Sequence, residues 1–108
     1  MFNKGHLEEL TIQVCEAWEY PIPTIVFQPE SVMENTVAFV LMKGGRIGKE
    51  IIDDDFLCFS EYLLSCNIDF IMKIIYHEIG HLITKKGDQD PEFQMFCKLN
   101  NIPLSREV

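Results

Sequence analysis

Residues 67–87, NIDFIMKIIYHEIGHLITKKG, carry the clearest helical pattern in the chain. Asn67 can cap the start of a helix, and Asp69 suits its positive end. Lys85-Lys86-Gly87 is a strong stop signal. We therefore expect a helix of about 19 residues, roughly 28 Å long at 1.5 Å per residue. One side of it is predicted to face the core with five apolar residues: Ile68, Ile71, Ile75, Ile79 and Leu82.

The sequence before this helix predicts an N-terminal helix and three strands. The helix covers about residues 4–20 and is stopped by Pro21. Thr24 to Gln28 is predicted as a short strand. Thr36 to Lys43 is predicted as a buried strand, joined by a turn at Gly44-Gly45 to an antiparallel partner over Arg46 to Asp53.

Two further segments complete the predicted architecture. Phe56 to Ser65 is predicted as a loop or a short helix. Asp90-Pro91 favours the start of a final helix that ends near Asn101 and Pro103. The expected fold is a single α+β domain over residues 1–108, with an N-terminal helix, a three-stranded mainly antiparallel sheet, the long helix and a C-terminal helix.

Charge and hydropathy exclude several function classes. The 108 residues carry a net charge of −8, and the sequence contains no basic stripe. Direct nucleic-acid binding and attraction to an anionic membrane are therefore disfavoured. The longest apolar run, Val37 to Met42, falls far short of the roughly 20 residues that span a bilayer.

The N-terminus and the cysteines bear on the cellular compartment. Residues 1–9 lack the basic stretch and apolar block of a secretion signal, so we expect a cytoplasmic protein. The four cysteines are scattered without a C-x-x-C pair, which argues against a zinc ribbon and a redox dithiol. They are expected to be buried thiols.

The chemistry-bearing motif is His77-Glu78-Ile79-Gly80-His81, an H-E-x-x-H pattern inside the long helix. Residues four apart share a helix face, so both imidazoles can converge on one Zn²⁺ ion. Glu78 can reach a water bound to that ion and act as general base and then general acid. Gly80 costs about 1 kcal/mol relative to alanine in a helix, which makes sense if another segment packs closely there.

A third protein ligand is expected in the loop that follows the helix. Asp88 has no evident structural duty and is the chemical favourite, because a carboxylate binds Zn²⁺ better than an amide. Gln89 is the alternative. Asp90 is better explained as a helix N-cap, and Glu92 suits the first turn of the last helix.

These residues resemble a SprT-like metallopeptidase domain, a member of the zincins. The resemblance covers roughly residues 36–102 and includes the histidine motif and the segment Gln89-Asp90-Pro91-Glu92-Phe93. It implies a third zinc-binding histidine four residues before Phe93, which is Gln89 in this chain. Either Gln89 serves as a weak ligand, Asp88 takes its place, or metal affinity is lost.

The ImmA/IrrE-like intracellular zincins also share the histidine motif, but the segment 89–93 fits the SprT-like pattern better. The SprT-like relatives that act on protein–DNA crosslinks use separate DNA-binding parts. This chain carries no zinc ribbon or basic stretch, so that role is not transferred.

Two functions follow from the motif. The first is a zinc-dependent endopeptidase that cleaves a protein or peptide substrate, with Glu78 as general base and acid. Its extended substrate would pair with an edge strand over Arg46–Ile52, and the polar candidates for stabilising the oxyanion are Tyr62, Tyr76 and Arg46. The second is a zincin-derived module that sequesters a basic protein partner without cleaving it, motivated by Gln89 and the net charge.

Overall fold

The computed structural model describes residues 3–104 and shows four α-helices, five strands and a 3₁₀ helix in that range. The helices are α1 Lys4–Ala17, α2 Glu30–Met33, α3 Ile68–Thr84 and α4 Pro91–Leu99, and the 3₁₀ helix spans Glu61–Ser65. The strands are β1 Thr24–Gln28, β2 Ala38–Leu41, β3 Arg46–Ile47, β4 Glu50–Ile51 and β5 Phe56–Ser60.

The long helix α3 begins and ends where its sequence predicts. The Asn67 side chain accepts a hydrogen bond from the Phe70 N–H at 2.9 Å, and Lys85 ends the helix in the left-handed conformation with φ 59°. The prediction that Ile68 faces the core is wrong, because it is 40% exposed and the buried face begins only at Phe70 and Ile71.

The other helices also follow local signals. Asp90 caps α4 by accepting from the Glu92 N–H at 2.9 Å, and Pro91 occupies the first turn, as predicted. The first helix ends at Ala17, earlier than predicted. Glu19 adopts a positive φ of 54°, and the Tyr20 N–H bonds back to the Cys15 carbonyl at 2.9 Å, which closes the helix before Pro21 is reached.

The main sheet has three strands, as predicted, but it is mixed, so the prediction that it is mainly antiparallel is wrong. Its strand order is β1-β5-β2, with β1 parallel and β2 antiparallel to the central strand β5. The strand over Thr24–Gln28 is confirmed, but Phe56–Ser60 forms the central strand instead of a loop or short helix. Its sequence FLCFS is apolar on both faces, because the strand is covered on both sides by the core.

The predicted hairpin at Gly44-Gly45 is displaced along the chain. The reversal lies at Gly48-Lys49, where Gly48 has φ 61°, and it joins β3 to β4 in a separate two-stranded sheet. The segment 46–53 therefore pairs within itself and not with β2. β2 remains at the edge of the main sheet.

Helix α3 lies between two apolar layers. Its isoleucines join the sheet and α1 in the main core, where Leu7, Leu57, Phe59, Ile75 and Ile79 are fully buried. A smaller cluster of Phe93, Cys97 and Ile102 covers the other side of the helix. Within residues 3–104, no helix is both long and apolar enough to cross a membrane.

Candidate metal centre

The two motif histidines lie on the side of α3 that faces α4 and the loop between these helices. Both are buried, with 1% of His77 and 4% of His81 exposed. Their Nε2 atoms lie 3.2 Å apart, and the ring planes are inclined by 79°. The spacing of one helical turn therefore makes the rings converge, as the motif predicts.

The loop after α3 brings Asp88 to the same point. Its Oδ1 atom lies 3.1 Å from the Nε2 atom of His77 and 2.9 Å from that of His81. Lys85 reverses the chain at the end of α3, and the Gln94 amide donates to the Asp88 carbonyl at 3.2 Å. A turn at one end and a side-chain contact at the other thus hold the loop in place.

Each imidazole also has a backbone carbonyl next to its other nitrogen. His81 Nδ1 lies 2.8 Å from the carbonyl oxygen of Lys86, and His77 Nδ1 lies 3.4 Å from that of Pro103. A carbonyl oxygen only accepts hydrogen bonds, so each of these contacts is a hydrogen bond in the tautomer that carries the proton on Nδ1. In that tautomer the Nε2 atom is an acceptor, as a metal ligand requires.

Three possible ligand atoms meet in one place: the two Nε2 atoms and Asp88 Oδ1. All three lie within 4.8 Å of one another. These separations are short enough for one metal ion to contact all three atoms.

Glu78 lines a cleft of about 240 Å³ beside this cluster. The residue is fully buried. One wall of the cleft comes from β2 and the segment after it, and the other comes from the loop after α3. The lining residues are Phe39, Val40, Met42, Glu78, His81, Lys86, Gly87 and Asp88.

Helix α4 packs directly behind the two rings. The Phe93 ring is stacked on His81 with a centroid distance of 3.9 Å and meets His77 edge-on at 5.1 Å. Gly80 permits this approach, because a Cβ atom there would lie 3.0 Å from Phe96 Cε1 and 3.3 Å from Phe93 Cε1. The expectation of a close segment at Gly80 is confirmed.

Gln89, the alternative third ligand, and the two acidic residues that follow it lie next to Asp88 in the chain. Gln89 follows Asp88 in the loop and is exposed. Asp90 serves as the N-cap of α4 and Glu92 lies in its first turn. The close cluster of histidine and acidic ligand atoms within the described residues is thus His77, His81 and Asp88.

The three polar candidates for oxyanion stabilisation do not line the cleft. Tyr76 packs against Trp18 at 5.3 Å, Tyr62 lines a depression with Glu30 and Glu34, and Arg46 lies in β3. The sequence did not indicate that β2 forms a wall of the cleft. It also did not indicate that Phe93 and the Pro103 carbonyl contact the histidine rings. Only Gly80 signalled that α4 approaches the histidines.

Comparisons of the chain with protein-family models, curated proteins and solved structures found no match.

Proposed function

We propose that this chain is a zinc-dependent endopeptidase with a zincin-like architecture, as its resemblance to SprT-like domains implies. The observation that carries the proposal is the convergence of two imidazole nitrogens and a carboxylate oxygen beside a buried glutamate. Three protein ligands and an adjacent carboxylate are the composition of a hydrolytic zinc site.

His77, His81 and Asp88 would hold the ion. Zn²⁺ in such a site lowers the pKa of a bound water to about 7, which makes hydroxide accessible at neutral pH. Glu78 is the neighbouring carboxylate that can accept a proton from water and pass it to the departing amine. Its burial beside the cleft would keep this proton transfer away from bulk solvent.

The cleft suits an extended peptide. β2 is an edge strand, and Phe39 and Val40 of β2 line the cleft together with Glu78. A peptide that lies along β2 can add main-chain hydrogen bonds to this edge and bring a carbonyl to Glu78. β2 replaces the segment Arg46–Ile52 in this role, because that segment forms the separate β3–β4 hairpin.

The first experiment measures zinc content and cleavage together. Protein purified without chelator should contain close to one zinc ion per chain by elemental analysis and should cleave a quenched fluorescent peptide library. Glu78→Gln should retain the zinc and lose cleavage by at least about a hundredfold, the lower end of general acid–base contributions.

Glu92→Gln is the matched control, because Glu92 is exposed in the first turn of α4 and does not line the cleft. It should keep both zinc and activity. Wild-type protein that takes up no zinc even when the ion is supplied would overturn the proposal. Cleavage that survives in Glu78→Gln would remove Glu78 as the base.

The second candidate is a binding module that retains a basic protein partner without cleaving it. The net charge of −8 favours it. It predicts that wild type and Glu78→Gln capture the same intact partner. Fragments of the partner that appear with wild type alone would support the endopeptidase.

A further inference from the structure

The two imidazoles are supported from behind by a part of the chain that is not itself a ligand. Phe93 is fully buried, lies nearly parallel to the His81 ring at an interplanar angle of 8°, and stands at 77° to the His77 ring. One aromatic side chain therefore contacts both histidines. A ring stacked on one imidazole and edge-on to another restricts the rotation of both about their side-chain torsions.

The segment after α4 completes this support. Asn101 adopts a positive φ of 55°, and the Ile102 N–H donates to the Cys97 carbonyl at 2.8 Å, so the chain folds back against α4. Ile102 is 7% exposed and packs with Phe93 and Cys97. This return places the Pro103 carbonyl beside His77 Nδ1.

Local geometry makes the support specific to this arrangement. The contacts that Phe93 and the Pro103 carbonyl make with the imidazoles come from outside α3. Gly80 keeps the helices close enough for Phe93 to reach the rings, at the cost of helix propensity. Phe96, in the same helix, instead contacts Trp18 at 5.3 Å.

We propose that Phe93 is a positioning residue for the metal centre, and that the C-terminal return at Asn101–Pro103 acts with it to hold both imidazoles with Nε2 facing Asp88. The inference rests on the metal-binding part of the proposed function. Phe93 contributes no ligand atom and takes no proton. It fixes the ring planes before the ion arrives, which increases metal affinity.

The test compares Phe93→Leu with Phe96→Leu. Both variants remove one aromatic ring from the buried side of α4, so both should lower the thermal midpoint of the apo-protein. Titration with Co²⁺, which reports its coordination geometry through visible absorption, separates the roles. Phe93→Leu should bind Co²⁺ about tenfold more weakly, within the range for residues that orient ligands, and should change the absorption band. Phe96→Leu should bind with nearly wild-type affinity and the wild-type spectrum.

A measurement on the metal-free wild-type protein gives a second, independent readout. Nitrogen-15 NMR should show both histidines protonated at Nδ1. The ring protons of His81 should be shifted upfield by the stacked Phe93. Ile102→Ala should weaken the contact between His77 Nδ1 and the Pro103 carbonyl and leave the upfield shift of the His81 ring protons in place. Phe93→Leu should abolish that shift.

The outcomes separate the two proposals. If wild type binds neither Co²⁺ nor Zn²⁺, the endopeptidase proposal fails, and positioning for a metal fails with it whatever the ring orientation. If wild type binds metal and Phe93→Leu matches it in affinity and spectrum, only the positioning role is overturned. If Phe93→Leu does not fold, absence of the Nδ1 protons or of the upfield shift in wild type overturns the role, and their presence supports it.

Discussion

Asp88 Oδ1 lies 2.9 Å from His81 Nε2 even though 45% of the Asp88 side chain is exposed, whereas the histidine is almost completely buried. The cluster therefore has a fixed side on α3 and an accessible side in the loop. A cation can enter from the loop side without opening the core. Asp88 is also the residue of the cluster that can be replaced with the least disturbance to folding.

Replacement of Asp88 and of Gln89 in turn should show which of the two residues is the third metal ligand. We expect Asp88→Ala to weaken zinc binding by at least about tenfold, because a carboxylate ligand is lost. Gln89→Ala should change the affinity less than about twofold, within ordinary surface effects. Competition titration with a chromogenic chelator measures both. A larger loss in Gln89→Ala than in Asp88→Ala would make Gln89 the ligand.

Zinc should stabilise the folded chain. At a free concentration of 100 times its Kd, a ligand that binds only the folded state adds about 2.7 kcal/mol, which for a domain of this size corresponds to a rise of about 10–20 °C in Tm. Differential scanning fluorimetry with and without zinc checks this. The rise should disappear on addition of a chelator and should be absent in His81→Ala, so an equal rise in that variant would point to binding elsewhere.

Gly80→Ala should be destabilising although alanine is the better helix former. The new Cβ atom would lie 3.0 Å from Phe96 Cε1 and 3.2 Å from its Cδ1, so the strain of about 1–3 kcal/mol for overpacking exceeds the gain of about 1 kcal/mol in helix propensity. Urea unfolding of the variant measures the difference. Gly87→Ala is the control, because a Cβ atom added there would have no described atom within 4 Å, and it should be neutral or slightly stabilising.

The contribution of Asp55 to stability should depend on pH. Burial raises the pKa of this carboxyl, but hydrogen bonds from the Lys43 N–H and the Tyr20 hydroxyl, together with the Lys85 ammonium, lower it more, so the net pKa lies below its ordinary value. The Tyr20 hydroxyl donates to Asp55 Oδ2 at 2.7 Å. A depressed pKa adds stability that is fully present above the unfolded pKa of about 3.9 and is lost as the pH falls through the folded pKa.

Asp55→Asn should therefore lower the free energy of unfolding by about 1–3 kcal/mol at pH 7. The difference from wild type should shrink as the pH falls from about 4, where the carboxyl of the unfolded chain becomes protonated, through the lower pKa of the folded state. Urea unfolding across this pH range tests it. Asp53→Asn, at an exposed position in the same loop, is the matched control, and a pH-independent difference for Asp55→Asn would contradict the assignment.

The buried cysteines should react slowly with alkylating reagents. Burial raises the pKa of Cys15 and Cys58, and burial followed by the charge of Asp88 raises the pKa of Cys97. Their thiols therefore stay protonated and inaccessible at neutral pH. Mass spectrometry after iodoacetamide treatment of the native protein should show Cys66, the half-buried one, labelled first. Labelling of Cys97 at the same rate would show that α4 separates readily from α3.

Local signals in the sequence are sufficient to predict the helices that carry the candidate site. Asn67 and Asp90 each act within three residues, since each side chain accepts from a nearby backbone N–H. The histidine spacing is likewise a property of one helix. These features can be predicted because they depend on few distant contacts.

The sheet cannot be predicted in the same way. The strand Phe56–Ser60 is apolar on both faces, and such a run has no alternation to distinguish a buried strand from a short helix. Its parallel partner β1 lies about thirty positions earlier in the chain, so no local pattern specifies the pairing. The Gly44-Gly45 pair is also misleading, because both residues bond with Ile52 at the base of a hairpin whose reversal lies at Gly48.

The same distinction applies to the candidate site. The chemistry of its carboxylate favours Asp88 as a ligand, and the structure places it at the histidines. The sequence suggests no such role for Phe93 or Pro103, because their contacts with the rings arise only when α4 and the following residues fold back over α3.

The ligand atoms and their aromatic support all come from residues 68–103, whereas β2 supplies the opposite wall of the cleft from residues 38–41. Under the proposed function, cation retention and peptide choice would thus be encoded in separate stretches of the chain. Exchange of the short strand for a related one would then alter which side chains are accepted and leave the ion in place, which would suit directed changes of selectivity.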